Sequence, residues 1–340
     1  MKVGYLIYCY IICAFLVSLI VNLLTIYFSK NYNFFIDNSS EDKPQNFHTN
    51  DTPRAGGIGI FAGIFFILIF PFGVKILISS ILAFISGIFE DFHNSLSPKL
   101  RLLLQTIAAL FVIIFANAIV TYFGLSVKLP YILGFIISLL GIVGMMNAIN
   151  IIDGFNGLAS GIVLLILSSF LYVSSNIGDG DIFKISAIAI GSILGFFVLN
   201  FPKGRIFLGD GGAYLLGFLI AVIGIFLAGN YESVSPWYII TLFIYPIWEV
   251  TFSIIRKKIW NQSPLEPDRY HLHMLVYRQF TKNNPLTGLV VNIVYSPFIV
   301  FATMHYAESL TNILISLLFI SLYTLIYINL LKSDRVEKNY

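Results

Sequence analysis

Residues 131–175 read YILGFIISLLGIVGMMNAINIIDGFNGLASGIVLLILSSFLYVSS, and Asp153 is the one charged side chain among them. The apolar runs at about 131–149 and 158–175 each approach the ~30 Å needed to cross the hydrocarbon core of a bilayer as an α-helix. Between them stands a polar stretch, Asn147-Ala-Ile-Asn-Ile-Ile-Asp-Gly-Phe-Asn-Gly157. Two spans joined by a polar connection are thus the unit from which the rest can be read.

The same unit recurs in both directions. Further apolar runs lie at about 3–29, 56–72, 73–90, 102–123, 183–200, 213–229, 237–255, 287–306 and 309–331, which makes eleven candidate helices in all. Composition agrees: 58% of residues are apolar, 11% are charged and the mean hydropathy is +0.87, far from a water-soluble domain. The expected fold is all-α, a polytopic transmembrane bundle of about eleven spans forming a single integral membrane domain over 1–340. Cys9 and Cys13 fall inside the first run at i and i+4, where they read as small packing residues, not a disulfide or metal framework. That run, Val3 to Ser29, has no cleavage-type site after a short apolar stretch and reads as a retained span.

Eleven spans place the connections alternately on two sides. Sixteen of the basic residues, from Lys30 through Arg54, Lys99, Arg101, Lys203, Arg256 and Arg269 to Lys332 and Lys338, share one side, while Lys2, Lys75, Lys128 and Lys184 fall on the other. The positive-inside rule makes the first side cytoplasmic, with the amino terminus outside and the carboxyl terminus inside. A net charge of +3, spread over loops, gives no reason to expect a nucleic-acid partner.

Every unusual polar motif falls on that cytoplasmic side, within connections at about 30–55, 90–101, 147–158, 201–212 and 256–286. Glu90-Asp91 stands directly after an apolar run and close to Lys99 and Arg101; paired carboxylates can bind a divalent ion or accept a proton, or simply mark a helix end reaching water. Asn150, Asp153 and Asn156 recur every third residue beside Gly154 and Gly157, more polarity than a helix terminus needs. Phe207-Leu-Gly-Asp-Gly-Gly212 puts Asp210 in a glycine-rich turn where Mg²⁺ could take one carboxylate plus substrate phosphates, the glycines leaving room for them, although an Asp there is also a common cap. His271-Leu-His273 after Pro267-Asp268-Arg269 lacks the ligands of a zinc site; so basic a loop reads either as a solvated, headgroup-facing surface or as a site for an anionic phosphate or sugar. Glu249, within two turns of Arg256, reads as a snorkelling or ion-paired structural acid.

In this order, Asn147 to Ala159, Phe207 to Gly217 and His271-Leu-His273 closely resemble the polyprenyl-phosphate N-acetylhexosamine-1-phosphate transferases, the WecA and MraY family of membrane enzymes. The likeness covers about residues 48 to 285. It implies transfer of a sugar 1-phosphate from a UDP-sugar to a polyprenyl phosphate, with release of UMP. It further implies Mg²⁺, or Mn²⁺ in its place, held by Asp210 and Asn150, with Phe207 and Asn156 on the uridine. Glu90 and Asp91 would position or deprotonate the polyprenyl phosphate, and Arg269, His271 and His273 would bind the diphosphate or sugar. Asp153 would support the loop. Glu90, Asp91, Asp153, His271 and His273 are then the catalytic candidates; Asn156, Phe207, Arg269, Lys99, Arg101 and Arg54 are the substrate-binding ones. Many members carry two aspartates where this chain has Glu90-Asp91, and the short histidine loop is unlike the MraY form. The expected partners are a UDP-sugar, a polyprenyl phosphate and a second copy of the chain. A phospho-MurNAc-pentapeptide transferase is the neighbouring alternative; a transporter without chemistry is the distant one.

Overall fold

The computed structural model describes residues 2–37, 51–93, 96–263 and 268–337. Lys43 and Lys338 of the charge map, and Pro267 of the histidine motif, lie outside the described residues. Thirteen α-helices carry these residues, with two short antiparallel ribbons: β1 (Ile36–Asp37) with β2 (Thr52–Pro53), and β3 (Tyr122–Gly124) with β4 (Val127–Lys128).

Nine of the helices are long and apolar enough to cross a membrane. They are α1 (Lys2–Tyr32), α3 (Pro71–His93), α4 (Pro98–Ala116), α5 (Tyr131–Ile152), α6 (Leu158–Ile177), α7 (Gly180–Asn200), α8 (Gly209–Asn230), α12 (Asn284–Met304) and α13 (Ser309–Glu337). Capping chemistry sets several of their starts. Ser97, Asp179 and Asn283 each accept a backbone N–H of the first turn through the side chain, and Pro98 and Pro285 occupy positions where a helix needs no donor. The run expected at 102–123 stops at Ala116 because Asn117 turns left-handed, at φ +52°, and the chain enters the β3–β4 ribbon.

Two expected spans differ from the rest. The run at 56–72 forms α2 (Gly56–Ile64) and a 3₁₀ turn (Phe65–Ile69), which end where Pro71 opens α3. Its length of about 21 Å falls short of the ~30 Å core. The run at 237–255 is two helices, α9 (Pro236–Leu242) and α10 (Ile244–Ile259), bent by 70°. Pro246 has no N–H for the Leu242 carbonyl one turn back. The Tyr295 hydroxyl of α12 supplies the missing donor, at 2.8 Å from the Leu242 oxygen and 3.1 Å from that of Thr241. Among the described residues nine full spans are therefore present, or ten with the bent pair, where about eleven were expected.

Burial orders the bundle. In its most apolar stretch α8 is 94% buried, against 17% for α1 and 28% for α13, so α8 is the central post and the others line the rim. The post is gripped by glycines. A Cβ on Gly57 would stand 2.4 Å from the Gly212 nitrogen, and one on Gly87 would stand 2.3 Å from the Gly211 nitrogen. The first turn of α8 thus touches the backbones of α2 and α3 directly. Gly211 and Gly212 are the α8 side of this helix contact.

Candidate active site

The approach of α2 and α3 to α8 brings together side chains far apart in sequence. Asp91, at the end of α3, accepts the Asp210 amide at 2.8 Å and the Gly211 amide at 2.9 Å. Those N–H groups have no partner within their own helix, so Asp91 caps α8 from a neighbouring helix and complements its dipole. The Asp210 side chain then meets three donors. Arg54 Nη2 and Asn150 Nδ2 both donate to Oδ1, the latter at 3.0 Å, and Arg101 Nη1 donates to Oδ2 at 3.3 Å. Arg54 Nε also lies 3.5 Å from Asp91, and Arg101 lies 3.6 Å from Glu90. Glu90 Oε2 is buried with no hydrogen-bond partner among the described residues.

Arg54 arrives by a backbone route. Phe207 N–H donates to the Pro53 carbonyl at 2.8 Å, and Gly56 N–H returns the contact to the Phe207 carbonyl at 2.8 Å. Gly209 follows at φ +77°, where a side chain would strike Asp91 and the Arg54 carbonyl. Burial acts to lower the Arg54 pKa, but Asp210 and Asp91 outweigh it and hold the guanidinium charged.

The α5–α6 connection borders this cluster. Asp153 ends α5, and its carboxyl is pushed up to about 7 by burial; Arg54 pulls it down and Asp210 pushes it further up. Asn156 is 9% exposed. It donates its amide N–H to Asn284 at 2.8 Å and its side chain to the Pro202 carbonyl at 3.1 Å. Asn200 accepts the Gly157 N–H at 2.7 Å, so amides from α7 and α12 hold the connection in place. Phe207, at the end of the 202–207 turn, is half-buried.

Across the same connection lies the histidine loop. His273, in the short helix α11 (Leu272–Val276), is fully buried, with Nδ1 3.1 Å from the Tyr245 hydroxyl and its ring edge-on to Phe155. Its Nε2 has no hydrogen-bond partner among the described residues and lies beside Gly154. Burial drives the His273 pKa down to about 4, helped by His271 and opposed by Glu249, so the ring is neutral at pH 7. His271 stacks on His273 with ring centroids 5.4 Å apart, and its Nδ1 lies 3.0 Å from Glu249. Glu249 also accepts the Leu272 N–H at 2.8 Å. Asp268 pairs with the buried Arg256 and accepts the Ser253 hydroxyl. Burial would raise the Asp268 pKa, but His271, Ser253 and Arg256 keep it below the usual carboxylate value.

Asp91, Glu90, Asp210, Asn150, Arg54 and Arg101 therefore form one cluster, with Asp153 at its edge. His271 and His273 form a second cluster behind the same connection. Two candidates stand apart: Lys99 and Arg269 are exposed and make no ion pair among the described residues. Glu249 is a buried, paired structural acid, but its partner is His271, since Arg256 pairs with Asp268. A carboxylate inside an apolar helix was the available signal. The supporting amides Asn200 and Asn284 carried no signal in local spacing.

The donor set is chemically suited to a hard divalent ion. Asp210, Asp91, Glu90 and the Asn150 amide offer oxygen and no sulfur, and Glu90 keeps an unpartnered buried oxygen. No three His, Cys, Asp or Glu side chains among the described residues form a cage of their own. Mg²⁺ asks for none, since it takes one or two carboxylates and completes its shell with water and substrate phosphates.

In this polytopic helical bundle, the acid, amide and guanidinium cluster where several of the helices end is the candidate site. The model of the glycosyl transferase family 4 matches residues 73–228, from Glu90 to Asp210 and beyond. A probable undecaprenyl-phosphate N-acetylglucosaminyl 1-phosphate transferase of Bacillus subtilis is 32% identical over 278 residues, covering 77% of this chain and 76% of the relative. An undecaprenyl-phosphate alpha-N-acetylglucosaminyl 1-phosphate transferase of Thermotoga maritima is 30% identical, covering 72% and 74%. A phospho-N-acetylmuramoyl-pentapeptide-transferase of Streptococcus agalactiae is 31% identical but covers 54% and 62%. The chain belongs to glycosyl transferase family 4.

Proposed function

We propose that this enzyme transfers a sugar 1-phosphate, N-acetylhexosamine 1-phosphate in particular, from a UDP-sugar to undecaprenyl phosphate, and so begins a lipid-linked cell-surface glycan. The observation that carries this reading is the meeting of Asp210, Asn150, Asp91 and two arginines at the ends of spanning helices. There a soluble nucleotide and a headgroup phosphate on an apolar tail can meet. A phosphate oxygen of the lipid attacks the sugar-linked phosphorus of the UDP-sugar. The bond from that phosphorus to the UMP oxygen breaks, and UMP leaves with the electron pair. A phosphate already ionised at pH 7 needs little base, so Asp91 acts by position: it fixes the first turn of α8 and thereby Asp210.

Asp210 and Asn150 would hold Mg²⁺, with Mn²⁺ able to replace it, and the ion would offset diphosphate charge. Arg54 and Arg101 add cations for the phosphates, while His271 and His273 line the sugar side next to Gly154. Phe207 and Asn156 flank the 202–207 turn as the uridine end. Positive loop charge supports a cytoplasmic site in the plasma membrane, with the amino terminus outside. The combination of identity and coverage in the Bacillus subtilis N-acetylglucosaminyl 1-phosphate transferase, 32% over 77% of this chain, favours this reading over the pentapeptide transferases, which reach 31% over 54% or 28% over 72%.

Purified protein in nanodiscs, given UDP-N-acetylglucosamine, undecaprenyl phosphate and Mg²⁺, should release UMP and form a lipid-linked sugar. Absence of both products across a panel of UDP-N-acetylhexosamines would refute the activity. UMP release only with the UDP-MurNAc-pentapeptide would move the enzyme to the other branch.

A further inference from the structure

The arginines on Asp210 are placed as covers. A carboxylate offers about four lone-pair sites. Three on Asp210 are taken by N–H donors, two of them from guanidiniums. The acids beneath are sealed, with side chains 1% exposed at Asp91 and 7% at Asp210, whereas the Arg54 side chain is 38% exposed. Water and solutes therefore reach the cation before they reach the acids.

Arg54 is also anchored at its root. Its own N–H donates to the Phe35 carbonyl at 2.7 Å, and the flanking residues are stitched to Phe207 and Leu208 by bonds of 2.8, 2.8 and 2.9 Å. Its backbone is thus tied to the turn that carries Asp210, and the guanidinium can leave only by rotating its side chain. A second acid awaits it, since Nε already stands 3.5 Å from Asp91. A lone pair that accepts an N–H cannot also bind a metal ion, and a divalent cation entering beside two guanidiniums meets like charge. A diphosphate arriving with the cation removes that obstacle by giving the displaced guanidinium a new anion.

We propose that Arg54 is a tethered counter-ion that occupies the metal-binding oxygen of Asp210 until a divalent cation arrives together with a diphosphate. Cation and nucleotide then bind cooperatively, and neither binds well alone. The inference rests on the assignment of the metal to Asp210.

Mn²⁺ binding, read by electron paramagnetic resonance on the full-length protein in nanodiscs with and without UDP, tests it without any turnover. In the wild type, UDP should tighten Mn²⁺ by about tenfold or more. In Arg54→Gln, Mn²⁺ alone should bind about tenfold tighter than in the wild type, and UDP should add much less. Arg54→Gln that binds Mn²⁺ alone no more tightly than the wild type overturns the proposal. If that variant does not fold, Arg54→Lys replaces it: one shorter ammonium covers Asp210 less well, so Mn²⁺ alone should bind severalfold tighter, and unchanged binding is again fatal. Asp210→Asn reports on the underlying assignment separately. It should bind no Mn²⁺, and binding that survives there removes the metal from Asp210 and this inference with it.

Discussion

The acid cluster and the histidine cluster flank one connection, residues 153–157, yet they are built on opposite plans. Around Asp210 the charges are neutralised by arginines that solvent can reach, and the partners come from the ends of α3, α4 and α5 and from the residues between β2 and α2. Around His271 the charges are sealed inside: Glu249, Asp268 and Arg256 are 1%, 6% and 6% exposed, and each has its partner within a short stretch of α10 and the following loop. The first arrangement can exchange its counter-ions for a ligand. The second is a fixed support, because breaking a buried pair leaves an uncompensated charge.

Five substitutions can break or sharpen that contrast. Asp210→Asn should reduce UMP release by more than about a thousandfold, as several kcal/mol of charge stabilisation disappear. Its unfolding midpoint should move little, and a large loss of stability would make Asp210 a structural residue after all. Glu249→Leu should do the reverse in emphasis, costing about 3 kcal/mol of unfolding free energy because His271 and the Leu272 N–H lose a buried acceptor. Chemical denaturation of the detergent-solubilised protein measures it, and a neutral result would place Glu249 outside the support. Gly87→Ala should cost about 1–3 kcal/mol by overpacking α3 on the backbone of α8. UMP release should fall with it, since the same contact places Asp210.

The contrast extends to pH dependence, where the two regions should oppose each other. Asp153, raised to about 7, holds its proton in the folded state at pH values where the unfolded chain has lost it. Its penalty therefore grows as pH rises from the ordinary carboxylate value through 7. His273, lowered to about 4, stays neutral while the unfolded chain takes up a proton, so its penalty grows as pH falls from the ordinary imidazole value towards 4. In unfolding midpoints of ligand-free protein, Asp153→Asn should gain on the wild type with rising pH. His273→Asn should gain with falling pH. Parallel curves for both variants would mean that neither group titrates as its burial implies.

Much of this architecture could be read from the chain, for identifiable reasons. Transfer of apolar side chains into lipid is a strong local signal, which is why the long helices appear where hydropathy puts them. Asp210 and Asn150, which the resemblance places together although sixty positions separate them, meet at 3.0 Å. Hydropathy averages over a window, however, so it cannot distinguish a straight span from α9 and α10, whose two limbs pass the same test. Nor does spacing reveal that Asp91 caps another helix, that Gly57 and Gly87 serve contact between backbones, or that Glu249 belongs to His271. Each of these is a pairing across distant segments.

The elbow between α9 and α10 has a consequence for evolution and design alike. Its angle rests on a phenol contributed by a helix some fifty positions downstream, so the proline alone is not the determinant. Losing that hydroxyl would strand two carbonyls in an apolar interior and loosen the limb that carries Glu249. A conservative exchange of Tyr295 for Phe, which removes no charge, would then be felt at the imidazole of His271.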